Sequence, residues 1–194
     1  MAEGRGRFIL VTGGVRSGKS TFAEDYAQKS KKRVVYIATA TAKDQEMRRR
    51  IRSHRQQRPK HFITREEPFR PHLVIEEEGE KGTFILLDCL TILTSNLLLR
   101  KIDNVLFEEP SVVISEQIEN KTTEILAYLK KLAALMRSSP ADILVVTNEV
   151  GMGIVPENPL GRLFSDLAGK GNQLLAAAAD EVWLLVCGIP LRIK

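Results

Sequence analysis

Eight residues near the start of the chain constrain its fold more than any other segment. Gly13-Gly14-Val15-Arg16-Ser17-Gly18-Lys19-Ser20 has the spacing G-x-x-x-x-G-K-[ST] and follows directly on the apolar run Phe8-Ile9-Leu10-Val11. A buried strand that enters such a turn and leaves as a helix makes a phosphate cradle. The glycines let the backbone turn tightly so that successive N–H groups converge on phosphate oxygens, and the helix N-terminus adds its positive dipole end. In this pattern Lys19 reaches the β- and γ-phosphates, and the Ser20 hydroxyl can ligate Mg²⁺. Arg16, inside the loop, either clamps phosphates bidentately or is a solvated loop arginine.

The rest of the chain keeps the alternation that this unit begins. Apolar runs predict strands over Arg33 to Ile37, Thr83 to Leu87, Ile143 to Val146 and Glu181 to Val186, with Leu191 to Ile193 as an edge strand. Helical patterns fall on Gly18 to Ala27, Ala42 to Gln57, Leu90 to Arg100 and Asn158 to Ala178. A long helix carries Ile114, Ile118, Ile125, Leu129, Leu132 and Met136 and stops at Ser138-Ser139-Pro140. Arg58 to Pro71 reads as irregular or partly extended, and Asp103 to Ser111 as a surface loop. Strands nearly continuous in apolar residues, alternating with helices, predict an α/β fold: a mostly parallel sheet with helices on both faces. The 194 residues are expected to form one nucleotide-binding domain over 1–194.

The charge balance narrows the ligand. With 29 Lys and Arg against 24 Asp and Glu, the net charge of +5 is too small to imply nucleic-acid binding but suits a phosphorylated small molecule. Cys89 and Cys187 form neither a disulfide framework nor a zinc pattern, so a reducing, cytoplasmic setting is expected, with both thiols buried in apolar surroundings. The most apolar stretch, Phe84 to Leu99, is broken by Asp88, Thr91, Thr94, Ser95 and Asn96, so no membrane span is expected.

Three further sites carry chemistry. Asp88 ends the run Phe84-Ile85-Leu86-Leu87, where a carboxylate on a strand beside the cradle would hold Mg²⁺; capping the next helix is a compatible second role. His54 stands among Arg48, Arg49, Arg50, Arg52, Arg55 and Arg58. Met47, Ile51 and His54 share a helical face, so spacing alone reads His54 as a packed residue completing an apolar stripe. The chemical alternative is a neutral imidazole that attacks the α-phosphorus of a bound triphosphate while neighbouring guanidiniums neutralise the leaving pyrophosphate. Asn148-Glu149 follows the strand at Ile143 to Val146, at the sheet edge where parallel α/β folds bind ligands, and Gly151 and Gly153 let the loop beyond approach one. A plain strand-to-helix turn would read the same way.

Taken together, these segments resemble the bifunctional adenosylcobinamide kinase / adenosylcobinamide-phosphate guanylyltransferase family, nearly end to end. The resemblance runs through Val11 to Ser20, Tyr36-Ile37-Ala38-Thr39-Ala40, Arg50-Ile51 with His54 and Arg58-Pro59, and Thr64-Arg65-Glu66-Glu67-Pro68. It continues through Leu87-Asp88-Cys89-Leu90-Thr91, Thr147 to Pro156, Asp166 to Gln173 and Ala179-Asp180-Glu181-Val182. It implies a P-loop NTPase fold, RecA-like or adenylate-kinase-like, and two reactions in one chain. The first phosphorylates the hydroxyl of adenosylcobinamide, a corrinoid, with ATP or GTP. The second attaches GMP from GTP to that phosphate through a histidine.

His54 is the position that matches the GMP-carrying histidine; Ser53 stands where some relatives have a second one. The resemblance also marks Thr39, Ala40, Thr41, Arg55, Gln56, Gln57, Arg58, Glu66 and Asp88 as guanine-nucleotide contacts, several relatives having glutamate at the place of Asp88. It further suggests a homo-oligomer, specifically a trimer. Two rival readings stay open on the residues alone: a single-activity P-loop small-molecule kinase with a structural His54, and a regulatory nucleotide-binding switch.

Overall fold

The computed structural model describes residues 4–42, 44–100 and 112–194. Their order is β1 (Phe8–Gly13), α1 (Lys19–Lys29), β2 (Arg33–Ala38), α2 (Gln45–Gln57), β3 (Ile63–Glu66), α3 (Pro71–Glu78), β4 (Thr83–Asp88), α4 (Leu90–Leu99), α5 (Val112–Ser138), β5 (Asp142–Val146), α6 (Pro159–Ala178), β6 (Glu181–Val186) and β7 (Ile189–Arg192). One sheet holds all seven strands in the order β3-β2-β4-β5-β1-β6-β7. Six run parallel and β7 returns antiparallel to β6.

The period-2 geometry of β1 divides the core. Phe8 and Leu10 face the cluster built with Leu93 of α4, Leu129 and Leu132 of α5 and Leu167 and Leu175 of α6. Ile9 and Val11 face the opposite cluster, which contains Ala23 and Ala27 of α1. The helices therefore cover both faces unevenly: α1 packs on one, and α3 through α6 contribute to the other. Each fully buried aliphatic or aromatic side chain of these strands contributes about 1.5–3 kcal/mol by leaving water. Among the described residues no helix is long and apolar enough to cross a membrane.

The strand ends are flush. Ala38 pairs with Glu66 on one side and with Asp88 on the other. Asp88 pairs with Val146, and Val146 with Val11. One row of residues, Glu66, Ala38, Asp88, Val146 and Val11, thus crosses five strands at the same height. Thr39, Asn148 and Gly13 lie one or two residues beyond it. The carboxyl edge of a parallel sheet is where chain reversals leave ligand-sized space, and the register gathers the motifs there.

Several details differ from expectation. The region from Arg58 to Pro71 contains β3, an exposed edge strand too polar to read as buried, and Pro71 opens α3 at the position where its missing N–H costs nothing. Helix α2 begins at Gln45 rather than Ala42, because the Asp44 carboxylate accepts the Met47 amide at 2.7 Å and caps it. Cys89 is buried as expected, but Cys187 is exposed in the turn between β6 and β7. The segment Asp103 to Ser111 lies outside the described residues. The strand that ends in Asp88 is not the neighbour of the P-loop strand, since β5 lies between them. Of the two expected arrangements, this inserted strand marks the RecA-like one.

Candidate active site

The P-loop is shaped by its two backbone-critical glycines. Gly13 and Gly18 adopt φ values of 151° and 92°. A Cβ at Gly13 would stand 2.5 Å from the Leu185 carbonyl oxygen, and one at Gly18 would stand 3.2 Å from the Gly188 Cα. Gly14, Val15 and Arg16 form the exposed lip of the loop, Arg16 with φ 58°, while Ser17 is buried. Lys19 is the first residue of α1 and only 8% exposed. Its ammonium folds back over the loop to donate to the Gly14 carbonyl at 2.5 Å. Burial lowers its pKa from the ordinary lysine value, and the nearby Asp88 carboxylate opposes that shift.

Asp88 reaches the cradle across the intervening strand because α1 crosses the sheet face over β5 and β4. Ser20 donates to Asp88 Oδ2 at 3.0 Å. The Tyr36 hydroxyl donates to the same oxygen at 2.7 Å. A serine hydroxyl and a carboxylate at this spacing are hard oxygen donors, the set that holds Mg²⁺ when substrate phosphates and water complete its shell. Tyr36 is 2% exposed, and burial together with the Asp88 charge raises its pKa far above the usual phenol range, so it remains a donor. Glu24, one turn beyond Ser20, joins the cluster. Burial raises its pKa, Arg58 pulls it down, and Asp88 pushes it up.

Arg58 connects this cluster to the basic helix. It is the C-terminal cap of α2, and its amide donates to the His54 carbonyl at 3.1 Å. Its guanidinium carbon lies 3.4 Å from the centroid of the Tyr36 ring, and Nη1 donates to Thr64 Oγ1 at 2.8 Å. Nε is buried and has no hydrogen-bond partner among the described residues. His54 is one helical turn before Arg58, the spacing at which side chains share a face. It is exposed, and no residue of α2 with a described side chain is buried. The helix therefore presents His54 to solvent on the turn next to Arg58, and the packed apolar stripe inferred from spacing is not formed.

The remaining expected residues divide by what they touch. Arg55 pairs with Glu66, tying α2 to the end of β3, and Gln56 is exposed on the same helix. Four strand spacings separate β3 from β1, about 19 Å, so Glu66 and the P-loop do not grip the same phosphate. Gln57 is the last residue of α2. Ala40 and Thr41 are half-buried after β2. Thr39 is fully buried and holds the backbone beneath Asp88: its hydroxyl accepts the Cys89 amide at 2.8 Å and donates to the Cys89 carbonyl at 2.9 Å. The Cys89 thiol is pushed up to about 12 by burial.

On the other side of Asp88, Glu149 donates its amide to the Gly13 carbonyl at 3.0 Å, joining the Asn148-Glu149 loop to the cradle. A buried network fixes that loop. Thr147 donates to Asn172 Oδ1 at 2.7 Å, Asn172 donates to the Asn148 carbonyl at 3.0 Å, and Thr91 accepts the Asn148 amide at 2.7 Å. Tyr36, Glu24, Thr91 and Asn172 are the site-forming residues that motif reading leaves without a role. Tyr36, Thr91 and Asn172 lie inside matching segments, and that is the one signal that marks them.

Comparison with known proteins adds what geometry cannot. The sequence pattern of the family described as "Cobinamide kinase / cobinamide phosphate guanyltransferase" matches residues 9–193. The chain is 45% identical over 186 residues to the bifunctional adenosylcobalamin biosynthesis protein CobU of Escherichia coli (strain K12), covering 96% of this chain and 99% of that one. It is 38% identical over 185 residues to the bifunctional adenosylcobalamin biosynthesis protein CobP of Pseudomonas aeruginosa, covering 95% and 96%. The crystal structure of the RadB recombinase, at 16% identity, aligns with 93% of this chain and 74% of that one at a TM-score of 0.46, too distant a likeness to speak to function. A P-loop, a basic histidine helix and a match over almost the whole length agree, and the chain belongs to the cobinamide kinase / cobinamide phosphate guanyltransferase family of enzymes.

Proposed function

We propose that the chain carries out both reactions of its family on the single sheet edge described above. In the first, the cradle holds the triphosphate of ATP or GTP while the hydroxyl oxygen of adenosylcobinamide bonds to the γ-phosphorus; the bond from that phosphorus to the β,γ-bridging oxygen breaks, the nucleoside diphosphate leaves and the hydroxyl proton passes to solvent. Lys19 and the backbone N–H groups from Gly14 to Ser20 neutralise the phosphate oxygens. Ser20 and Asp88 are the residues that would hold Mg²⁺, which would neutralise charge on the nucleotide's phosphates. Asn148 and Glu149 border the space where the acceptor enters.

In the second reaction the imidazole of His54 attacks the α-phosphorus of GTP. An N–P bond forms, the bond from the α-phosphorus to the bridging oxygen of the β-phosphate breaks, and pyrophosphate leaves. Arg58 and Arg55 face that departing charge as guanidiniums do in phosphate recognition. A phosphate oxygen of adenosylcobinamide phosphate then attacks the same phosphorus, the P–N bond breaks, and adenosylcobinamide-GDP is released with the histidine restored.

The observation that carries this reading is the unbroken run of contacts Ser20, Asp88, Tyr36, Arg58, ending one turn from His54. It supports a reading in which His54, exposed to solvent, acts as nucleophile toward a triphosphate bound at the same edge. The test is incubation with GTP radiolabelled at the α-phosphate and Mg²⁺, followed by denaturation. The chain should retain acid-labile, alkali-stable label, and His54→Ala should lose the label yet still phosphorylate adenosylcobinamide. A wild-type chain that never labels ends the guanylyl-transfer reading, and one that transfers no phosphate to the corrinoid ends the kinase reading. The resemblance also supports a cytoplasmic trimer, checked by light scattering of the purified chain.

A further inference from the structure

We propose that Tyr36 is a positioning residue for both reactions: its hydroxyl sets the Asp88 carboxylate for the cation at the P-loop, and its ring aims Arg58 toward the nucleotide beside His54. This rests on the reading of the site just given. The two ends of the side chain do separate work, and each end has its own observation.

The side chain is buried on the face of the sheet that α1 covers, in the cluster that holds Val34, Phe84 and Leu86, where a phenylalanine would fill nearly the same volume without a polar atom to satisfy. The polar atom points at Asp88 Oδ2, 2.7 Å away. That oxygen also accepts from Ser20, so both bonds fall on one carboxylate oxygen and Oδ1 stays unbonded among the described residues. Two donors on one oxygen, Ser20 from the cradle and Tyr36 from β2, fix the carboxylate in one rotamer and leave its second oxygen free to take a cation. Without the phenol, Asp88 keeps its charge and loses its orientation.

The ring end is the platform for Arg58. A guanidinium 3.4 Å from a ring centroid lies flat on the aromatic face, and the bond from Nη1 to Thr64 fixes its rotation in that plane. Nε is a buried donor with no hydrogen-bond partner among the described residues, so the present contacts do not satisfy the guanidinium fully. Arg58 is the cap of α2, so anchoring it also anchors the last turn of the helix, which carries His54. The ring needs no hydroxyl for this job, and the hydroxyl acts on Asp88 independently of the stack.

The two functions separate by substitution. Nucleotide binding is followed by the fluorescence of mant-GTP as Mg²⁺ is titrated, and guanylylation by covalent labelling from GTP radiolabelled at the α-phosphate. Tyr36→Phe is expected to raise the Mg²⁺ concentration at half-maximal fluorescence about three- to tenfold, the effect of one lost charge-assisted hydrogen bond. Its labelling at saturating Mg²⁺ should stay within about twofold of wild type. Tyr36→Leu should cut labelling at least about tenfold even at saturating Mg²⁺, and phenylalanine at that position restores it.

The proposal is overturned if Tyr36→Phe leaves the Mg²⁺ midpoint unchanged, if Tyr36→Leu labels like wild type, or if Phe and Leu lose both readouts together, as loss of mere packing would produce. The fluorescence titration does not involve His54. A wild-type chain that never labels therefore defeats the guanylyl-transfer reading and with it the role of the ring, while the Mg²⁺ midpoint of Tyr36→Phe decides the role of the hydroxyl by itself.

Discussion

The amide of Gly188 donates to the carbonyl of Ser17 at 3.0 Å, fastening the turn between β6 and β7 to the phosphate cradle. Gly188 has φ 81°, a left-handed conformation that an L side chain adopts at a cost of about 1–2 kcal/mol. Gly188→Ala is therefore expected to lower stability by roughly 1 kcal/mol in urea unfolding. Because the strained residue braces Ser17, the same variant should also bind mant-GTP several times more weakly.

The Asn172 side chain is the hub of the network beneath Asn148. Asn172→Ala leaves the Asn148 carbonyl without its side-chain donor and the Thr147 hydroxyl without its acceptor in a buried setting. The expected loss is about 1–3 kcal/mol of stability. The loop that borders the cradle should also loosen, raising KM for the corrinoid acceptor more than KM for the nucleotide; steady-state kinase assays with each substrate varied would show the difference.

Asp180 ties three segments together. It accepts two hydrogen bonds from the Arg5 guanidinium, one from the Phe8 amide and one from Arg137 at the end of α5. The Arg5 bonds are the leading reason its carboxyl is held well below the usual carboxylate range. A depressed folded-state pKa contributes stability that is complete above the unfolded value, about 3.9, and disappears as pH falls through the folded value. Asp180→Asn should thus melt below wild type at neutral pH, and the gap should narrow once pH drops under about 4, as thermal melts across that range would record.

Arg58→Lys tests whether charge alone suffices at the cap of α2. Lysine keeps the charge but loses the planar stack on Tyr36 and the fixed donor to Thr64. Covalent labelling from GTP should fall about tenfold or more, with P-loop binding of mant-GTP within about threefold of wild type. Equal labelling by the two proteins would show that Arg58 acts as a point charge.

The cradle could be read from the chain because its chemistry is local: eight consecutive residues hold the turn, the lysine and the hydroxyl. The central strands were legible for a similar reason, since a strand buried on both faces shows as an apolar run. β3 and α3 were not. Ile63–Glu66 is an exposed edge strand with the composition of a loop, and Pro71 looks like a breaker although it stands where a helix tolerates it.

Partnership between distant residues was the other hidden part. Tyr36 in an apolar strand reads as one more core aromatic, and only the pairing of β2 with β4 brings its hydroxyl to Asp88, 52 residues away. Asn172 and Asn148 are likewise brought together by packing and not by spacing. Cys187 looked buried because Glu181 to Val186 is apolar, but it lies one residue past the strand, in the turn. For His54, helix spacing favoured a packed role, and the resemblance to a family pointed the other way; its exposure on α2 overturns the packed role.

The flush row of strand ends limits how this protein can change length. Removing one residue from β4 would draw Asp88 back by about 3.3 Å and turn its side chain to the opposite face of the sheet, away from both Ser20 and Tyr36. The same holds for β2 and β5, whose ends lie level with it. Insertions and deletions should accumulate at the amino ends of the strands, where no row has to be kept, while the carboxyl ends behave as a fixed ruler. Among variants of this chain, then, length should prove less tolerated than side-chain identity at this edge, even at positions that touch no ligand.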